Sequence, residues 1–139
     1  MENAKDPFQI HNFSDIIYHI LVIDDEKTIL DVIKTVLSRT GFRVDIAMNG
    51  REGVQKFNRG RFDLVITDIQ MPGLGGRDVV DHIRNSDRPC TPIIGISGSP
   101  WLFDNIQFDA VLTKPFRFKD LINSIHHISM QVIYECDLI

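Results

Sequence analysis

Apolar residues recur along this chain in two rhythms. Some gather in short blocks: His19-Ile20-Leu21-Val22-Ile23, Leu64-Val65-Ile66, Ile93-Ile94-Gly95-Ile96 and Ala110-Val111-Leu112-Thr113. Short runs of branched residues bounded by turn formers predict buried strands. Phe42-Arg43-Val44-Asp45-Ile46-Ala47 alternates instead, which predicts an edge strand with one covered face. The second rhythm is helical. Ile29, Leu30, Val32, Ile33, Val36 and Leu37 form one stripe that Gly41 ends. A second helix opens at Asn49-Gly50, turns Val54 and Phe57 inward and closes at Asn58-Arg59-Gly60. Val79, Val80 and Ile83 mark a third. Leu121, Ile122, Ile125 and Ile128 mark a last one, which starts near Arg117 and can run on through Val132 and Ile133. Between the fourth and fifth strands, Trp101, Leu102, Phe103, Ile106 and Phe108 crowd a segment with room for one or two helical turns at most.

Five strands alternating with helices predict an α/β domain with a parallel sheet, wound by right-handed crossovers. The 139 residues fit one domain, residues 19–130, able to bury roughly two-thirds of its unfolded surface. Residues 1–18 form an extension. Phe8, Ile10, Phe13, Ile16 and Ile17 are too apolar for a free tail, and Phe13, Ile16 and Ile17 have helical spacing. A short helix on the domain surface and a dimer or partner contact both fit. Residues 131–139 extend the last helix and end on Leu138-Ile139; the two termini are expected to pack together or to form a homodimer contact.

Charge narrows the partners. With 15 Lys and Arg against 19 Asp and Glu, the net charge is −4, which argues against nucleic acid as the main partner. No apolar run approaches a membrane span, and no basic stretch leads into an apolar signal core. Cys90 and Cys136 lack metal-ligand spacing, so reduced thiols in the cytoplasm are expected.

The strand ends carry the chemistry. Asp24-Asp25 follow the first strand, Asp68 the third, Ser97 the fourth and Lys114 the fifth. Parallel strands bring these ends to one edge, where open α/β sheets bind ligands. Alone, Asp24-Asp25 reads equally well as a helix cap and Lys114 as a solvated charge. Together, three carboxylates at one edge repel, so either a cation sits among them or one is protonated. An all-oxygen set suits Mg²⁺. Lys114 can hold an anionic oxygen, Ser97 offers a hydroxyl, and Gly98 leaves room beside it. The set suggests phosphoryl transfer with a carboxylate nucleophile. Gly73, Gly75 and Gly76 lack the dinucleotide spacing and follow an acidic strand end, so they do not cradle phosphate.

These residues resemble a known family. Ile23-Asp24-Asp25-Glu26, Asp68-Ile69-Gln70-Met71-Pro72 with Gly76 beyond, Ser97-Gly98 and Lys114-Pro115-Phe116 are similar in order and spacing to the receiver domains of two-component response regulators, over residues 19 to about 128. The resemblance implies a three-layer, doubly wound sheet in the order 2-1-3-4-5. It implies that Asp68 accepts a phosphoryl group from a phosphohistidine on a sensor kinase or phosphotransfer protein. Asp25, Asp68 and the backbone carbonyl of Gln70 would ligate Mg²⁺, with Asp24 acting mostly through bound water, while Ser97 and Lys114 grip the phosphoryl oxygens. The Lys114-Pro115 peptide would be cis. The chain departs from the pattern in three places. Val111 stands where the family commonly has Tyr or Phe. The stretch from Ser97 to Lys114 is short, so a stunted or irregular helix is expected there, with Trp101, Leu102 and Phe103 filling the gap as core or as a recognition patch. Gly75 stands where Asp or Asn is frequent.

The resulting expectation is a phosphoacceptor in a phosphorelay rather than a classical enzyme, with no separate output domain, signalling by contact with a downstream protein or by self-association. A degenerate receiver that binds partners without phosphorylation is the alternative. A haloacid-dehalogenase-type phosphatase would need an acid where Gln70 stands, and in a flavodoxin Asp24-Asp25 would repel the flavin phosphate. His126 and His127 on the last helix read as surface or partly packed residues.

Overall fold

The computed structural model describes residues 17–137, with side chains as far as Gln131. Strands β1 (His19–Ile23), β2 (Arg43–Ala47), β3 (Leu64–Asp68), β4 (Ile93–Ser97) and β5 (Ala110–Thr113) lie parallel in one sheet, in the order β2-β1-β3-β4-β5. Helices α1 (Lys27–Arg39), α2 (Gly50–Arg59), α3 (Gly76–Arg84) and α4 (Phe118–Asp137) cover its two faces. The five strands and the three-layer winding match the sequence reading. The expected helix at the N-terminus and the apolar end Leu138-Ile139 fall outside the described residues.

The alternation of side chains along each strand divides the core in two. Ile20, Val22, Leu64, Ile66, Ile94 and Ile96 face α1 and α4, where Leu30, Ile33, Leu37, Leu121, Ile125 and Ile128 meet them. Leu21, Ile23, Val65 and Ile93 face α2 and α3, against Phe57, Val79, Val80 and Ile83. Ile17 also packs in the first cluster, and the Tyr18 and His19 N–H groups donate to Asp63 Oδ2, so the chain is tied down just before β1.

Local chemistry ends the elements where the pattern predicted. Gly41 takes the left-handed φ of 106° just past α1. Asn49 caps α2, its side chain accepting from the Glu52 N–H at 2.8 Å. Gly75 is the N-cap of α3 and has no side chain to offer; Asp78 partly compensates by accepting the Gly75 N–H at 3.1 Å.

The connection between β4 and β5 differs most from a regular layout. A 3-10 turn, Pro100–Phe103, takes the place of a helix. Phe103 and Phe108 pack edge to face at 5.9 Å, and the Phe108 ring covers Gly95, where a Cβ would come within 2.7 Å of it. That close approach explains a glycine in the middle of β4. Trp101 is not core: it is 71% exposed, while Leu102 and Phe103 are half-buried. On the same side of the sheet Val111 is 46% exposed, because nothing helical lies over β5 there.

Gly76 joins the fold to the site. A Cβ on it would stand 2.5 Å from the Asp68 carbonyl oxygen and 2.7 Å from Ile69 Cα. Backbone cannot yield as a side chain can, so Gly76→Ala is expected to lower unfolding stability in urea by about 2 kcal/mol or more. A loss below about 0.5 kcal/mol would show that the α3 start is not fixed against β3.

Candidate functional site

Parallel register sets the site. Ile23 pairs with Thr67, Asp68 with Ile96 and Ser97 with Thr113, so four strands end at one level. The residues following those ends converge. Asp24, Asp25 and Asp68 each present a carboxylate oxygen within 4.8 Å of the others. From β5, Lys114 reaches back across the sheet: Nζ lies 3.1 Å from Asp24 Oδ2, 3.3 Å from Asp68 Oδ2 and 3.4 Å from Glu26 Oε1. The Lys114-Pro115 peptide is cis.

Burial makes this cluster costly. Asp24 is 1% exposed and Asp68 5%. Loss of water pushes both carboxyls above their ordinary 3.8; for Asp68 the Asp24 charge adds to the rise, against Lys114 and the Gln70 N–H, which favour the charged form. For Asp24 the Glu26 N–H, accepted at 2.9 Å, and Lys114 oppose the rise. Burial alone would lower Lys114, but the hydrogen bond it donates to Asp24 and the charges of Asp24, Asp68 and Glu26 outweigh it and hold the amine above 10.5. Four acidic side chains, Asp24, Asp25, Glu26 and Asp68, thus gather around one amine and leave an excess of carboxylate.

A divalent cation answers that excess. Three carboxylates within reach of one another, all hard oxygen donors, fit Mg²⁺, which is the cofactor this donor set takes. Asp25 is exposed and can turn toward an ion without losing a buried contact. Gln70, two residues past β3, is exposed.

Ser97 sits where expected, buried at the end of β4, but its hydroxyl is engaged locally. Ser97 Oγ accepts the Ser99 N–H at 3.0 Å and donates to the Ser99 carbonyl at 3.4 Å. This turn ties the hydroxyl to the first residues of the 98–108 segment. A Cβ on Gly98 would meet nothing within 4 Å, so the approach beside Ser97 is open.

Two features escaped sequence reading. Glu26, which follows the acidic pair, shares Lys114 with Asp24 and Asp68. A groove of ≈450 Å³ adjoins the site, lined by Ile29, Val32, Ile33, Pro115, Phe116 and Phe118 along with Glu26 and Lys114. Val32 belongs to the apolar stripe of α1, yet it is 41% exposed and lines this groove. A stripe broader than a buried helix face needs was the available signal.

An open parallel sheet with acids and a lysine gathered at its carboxyl edge defines the class: a doubly wound α/β domain with an acidic site suited to a divalent cation. The chain belongs to the response regulator receiver domain family of two-component systems, whose sequence profile matches residues 20–126. It is 32% identical over 108 residues to the transcriptional regulatory protein DltR of Streptococcus agalactiae, covering 74% of this chain and 48% of DltR. The chain spans about half the length of the curated relatives it matches. Among solved structures, the response regulator TrrA of Thermotoga maritima, in complex with Mg²⁺ and beryllofluoride, is 33% identical with a TM-score of 0.74, covering 80% of this chain and 98% of that one. A CheY-like receiver domain protein of Methanospirillum hungatei is 28% identical with a TM-score of 0.79, covering 86% and 98%. Among the described residues no helix is long and apolar enough to cross a membrane.

The raised carboxyls predict a pH dependence with a definite sign. Between the ordinary 3.8 and the raised values, the folded chain keeps protons the unfolded chain has released, so metal-free stability falls as pH rises through that window and levels off above it. Asp68→Asn removes one of the crowded charges and is expected to stabilise the metal-free protein at pH 7 by about 1–2 kcal/mol, read as a rise in melting temperature. Mg²⁺ is expected to raise the melting temperature of the wild type and not of the variant. A variant less stable than metal-free wild type would contradict this charge balance.

Proposed function

We propose that this chain takes a phosphoryl group on Asp68 from a phosphohistidine donor, a sensor kinase or a phosphotransfer protein, and passes the signal by protein contact. The observation that carries this reading is the Lys114 amine, 3.3 Å from Asp68 and 3.1 Å from Asp24 at the carboxyl edge of the sheet. An Asp68 oxygen attacks phosphorus, the bond from phosphorus to the donor imidazole nitrogen breaks, and its electron pair stays on that nitrogen, which takes up a proton. Lys114 and the Ser97 hydroxyl then hold the transferred phosphoryl oxygens. Asp25, Asp68 and the Gln70 carbonyl would hold Mg²⁺ directly and Asp24 through water; bound there, the ion neutralises charge on the phosphoryl group. The apolar groove beside Lys114 supports a protein donor, since it offers a surface next to the acceptor. An exposed, unpaired Cys90 suits a reducing cytoplasm.

A second reading, a degenerate receiver acting as a phosphorylation-independent module, draws on the 3-10 turn and Val111. Val111 stands in place of the aromatic common in the family, and on its side of the sheet no helix covers β5. Against this second reading, the Ser97–Ser99 turn ties the hydroxyl to the segment bearing Trp101, so a phosphoryl oxygen that draws the hydroxyl away would loosen that segment.

Acetyl phosphate with Mg²⁺ is expected to give a shifted band on a phosphate-affinity gel, lost in Asp68→Asn and cut at least about tenfold in Lys114→Ala. Equal labelling of wild type and Asp68→Asn would remove Asp68 from the role. Trp101 is the only tryptophan, so beryllofluoride with Mg²⁺ is expected to change the intrinsic fluorescence. Binding of the mimic with no spectral change would favour the degenerate module.

A further inference from the structure

Glu26 has no part in the transfer described above. It follows the acidic pair and is the N-cap of α1, yet its carboxylate reaches back toward Lys114, just past β5. An ammonium has three N–H donors. Lys114 finds a carboxylate for each: Asp24 at 3.1 Å, Asp68 at 3.3 Å and Glu26 at 3.4 Å.

The three partners are not equivalent. Asp24 is buried and is held from two sides, because its other oxygen accepts the Glu26 N–H at 2.9 Å. Asp68 is the proposed acceptor and is also buried. The Glu26 side chain is 59% exposed and makes the longest contact. Letting go of Lys114 sends that carboxylate into water and strands no buried charge, so this contact is the cheapest of the three to break.

Resting on the phosphoacceptor reading, we infer that Glu26 is a positioning residue: it occupies one donor of Lys114 while Asp68 is unmodified and gives that donor up to an incoming phosphoryl oxygen. One anionic oxygen replaces another, and the ammonium stays fully paired throughout. Glu26 therefore competes with the phosphoryl group for the lysine, and its negative charge also draws Mg²⁺ toward the neighbouring acids. Removing it pushes two equilibria in opposite directions, which a general loosening of the fold cannot do.

Calorimetric titration of the whole chain separates these effects, first with Mg²⁺ alone and then with beryllofluoride at saturating Mg²⁺. Glu26→Gln is expected to weaken Mg²⁺ and to tighten beryllofluoride, each by roughly two- to fivefold, the scale of an exposed charge pair. Glu26→Asp keeps the charge on a side chain one methylene shorter and withdraws it from Lys114. It is expected to leave Mg²⁺ affinity near the wild-type value while tightening beryllofluoride as Gln does. Beryllofluoride affinity unchanged or weakened in Glu26→Gln overturns the inference. So does an Asp variant that matches wild type for beryllofluoride, since charge alone would then be acting. Wild type that takes no beryllofluoride sinks the phosphoacceptor reading and this inference with it; wild type that binds, with unmoved variants, sinks only the role of Glu26.

Discussion

Lys114 Nζ stands within 3.4 Å of three carboxylates, two of them almost closed off from water. Buried like charges of this kind cost several kcal/mol unless an opposite charge is held in place. The parallel sheet supplies that geometry. Strands running one way deliver their polar ends to one edge, and the register puts the ends of β1, β3, β4 and β5 at one level. One amine cannot balance three acids and Asp25 besides. The residual negative charge makes the site receptive to a divalent ion and ties local stability to what is bound there.

Most of the fold was legible because its rules are local. Branched runs became β1, β3 and β4, alternation became β2, and helical stripes became α1 to α4, with α1 ending at Gly41 as expected and α2 opening at Asn49-Gly50. The convergence of Asp24, Asp25, Asp68 and Lys114 was legible for a related reason: in a parallel sheet, strand-end position already fixes the edge. Side-chain partners were less accessible. Nothing in the order of residues says that Glu26 turns back to Lys114, that the Ser97 hydroxyl closes on Ser99, or that Phe108 lies over Gly95. These contacts depend on loop paths, which sequence periodicity does not constrain. The aromatic cluster misled for the same reason. Trp101 is as apolar as core residues are, but the 3-10 turn sends it outward.

The two sides of the site are built differently. On one side α1 and the β5–α4 connection form the apolar groove that meets Lys114. On the other, the Ser97–Ser99 turn leads into a segment held by Phe103 and Phe108, with Val111 bare behind it. Few buried contacts hold this second segment, which puts it at the low-stability end of the domain. The groove and the 98–108 segment meet only through the residues at the strand ends.

The most direct test is a crystal structure of the chain with Mg²⁺ and beryllofluoride. Beryllium is expected bonded to an Asp68 oxygen, Mg²⁺ among Asp25, Asp68 and the Gln70 carbonyl, and Lys114 Nζ on a fluoride. Beryllofluoride absent from Asp68 at saturating concentration, or Lys114 still bound only to carboxylates with the ion elsewhere, would contradict the phosphoacceptor reading.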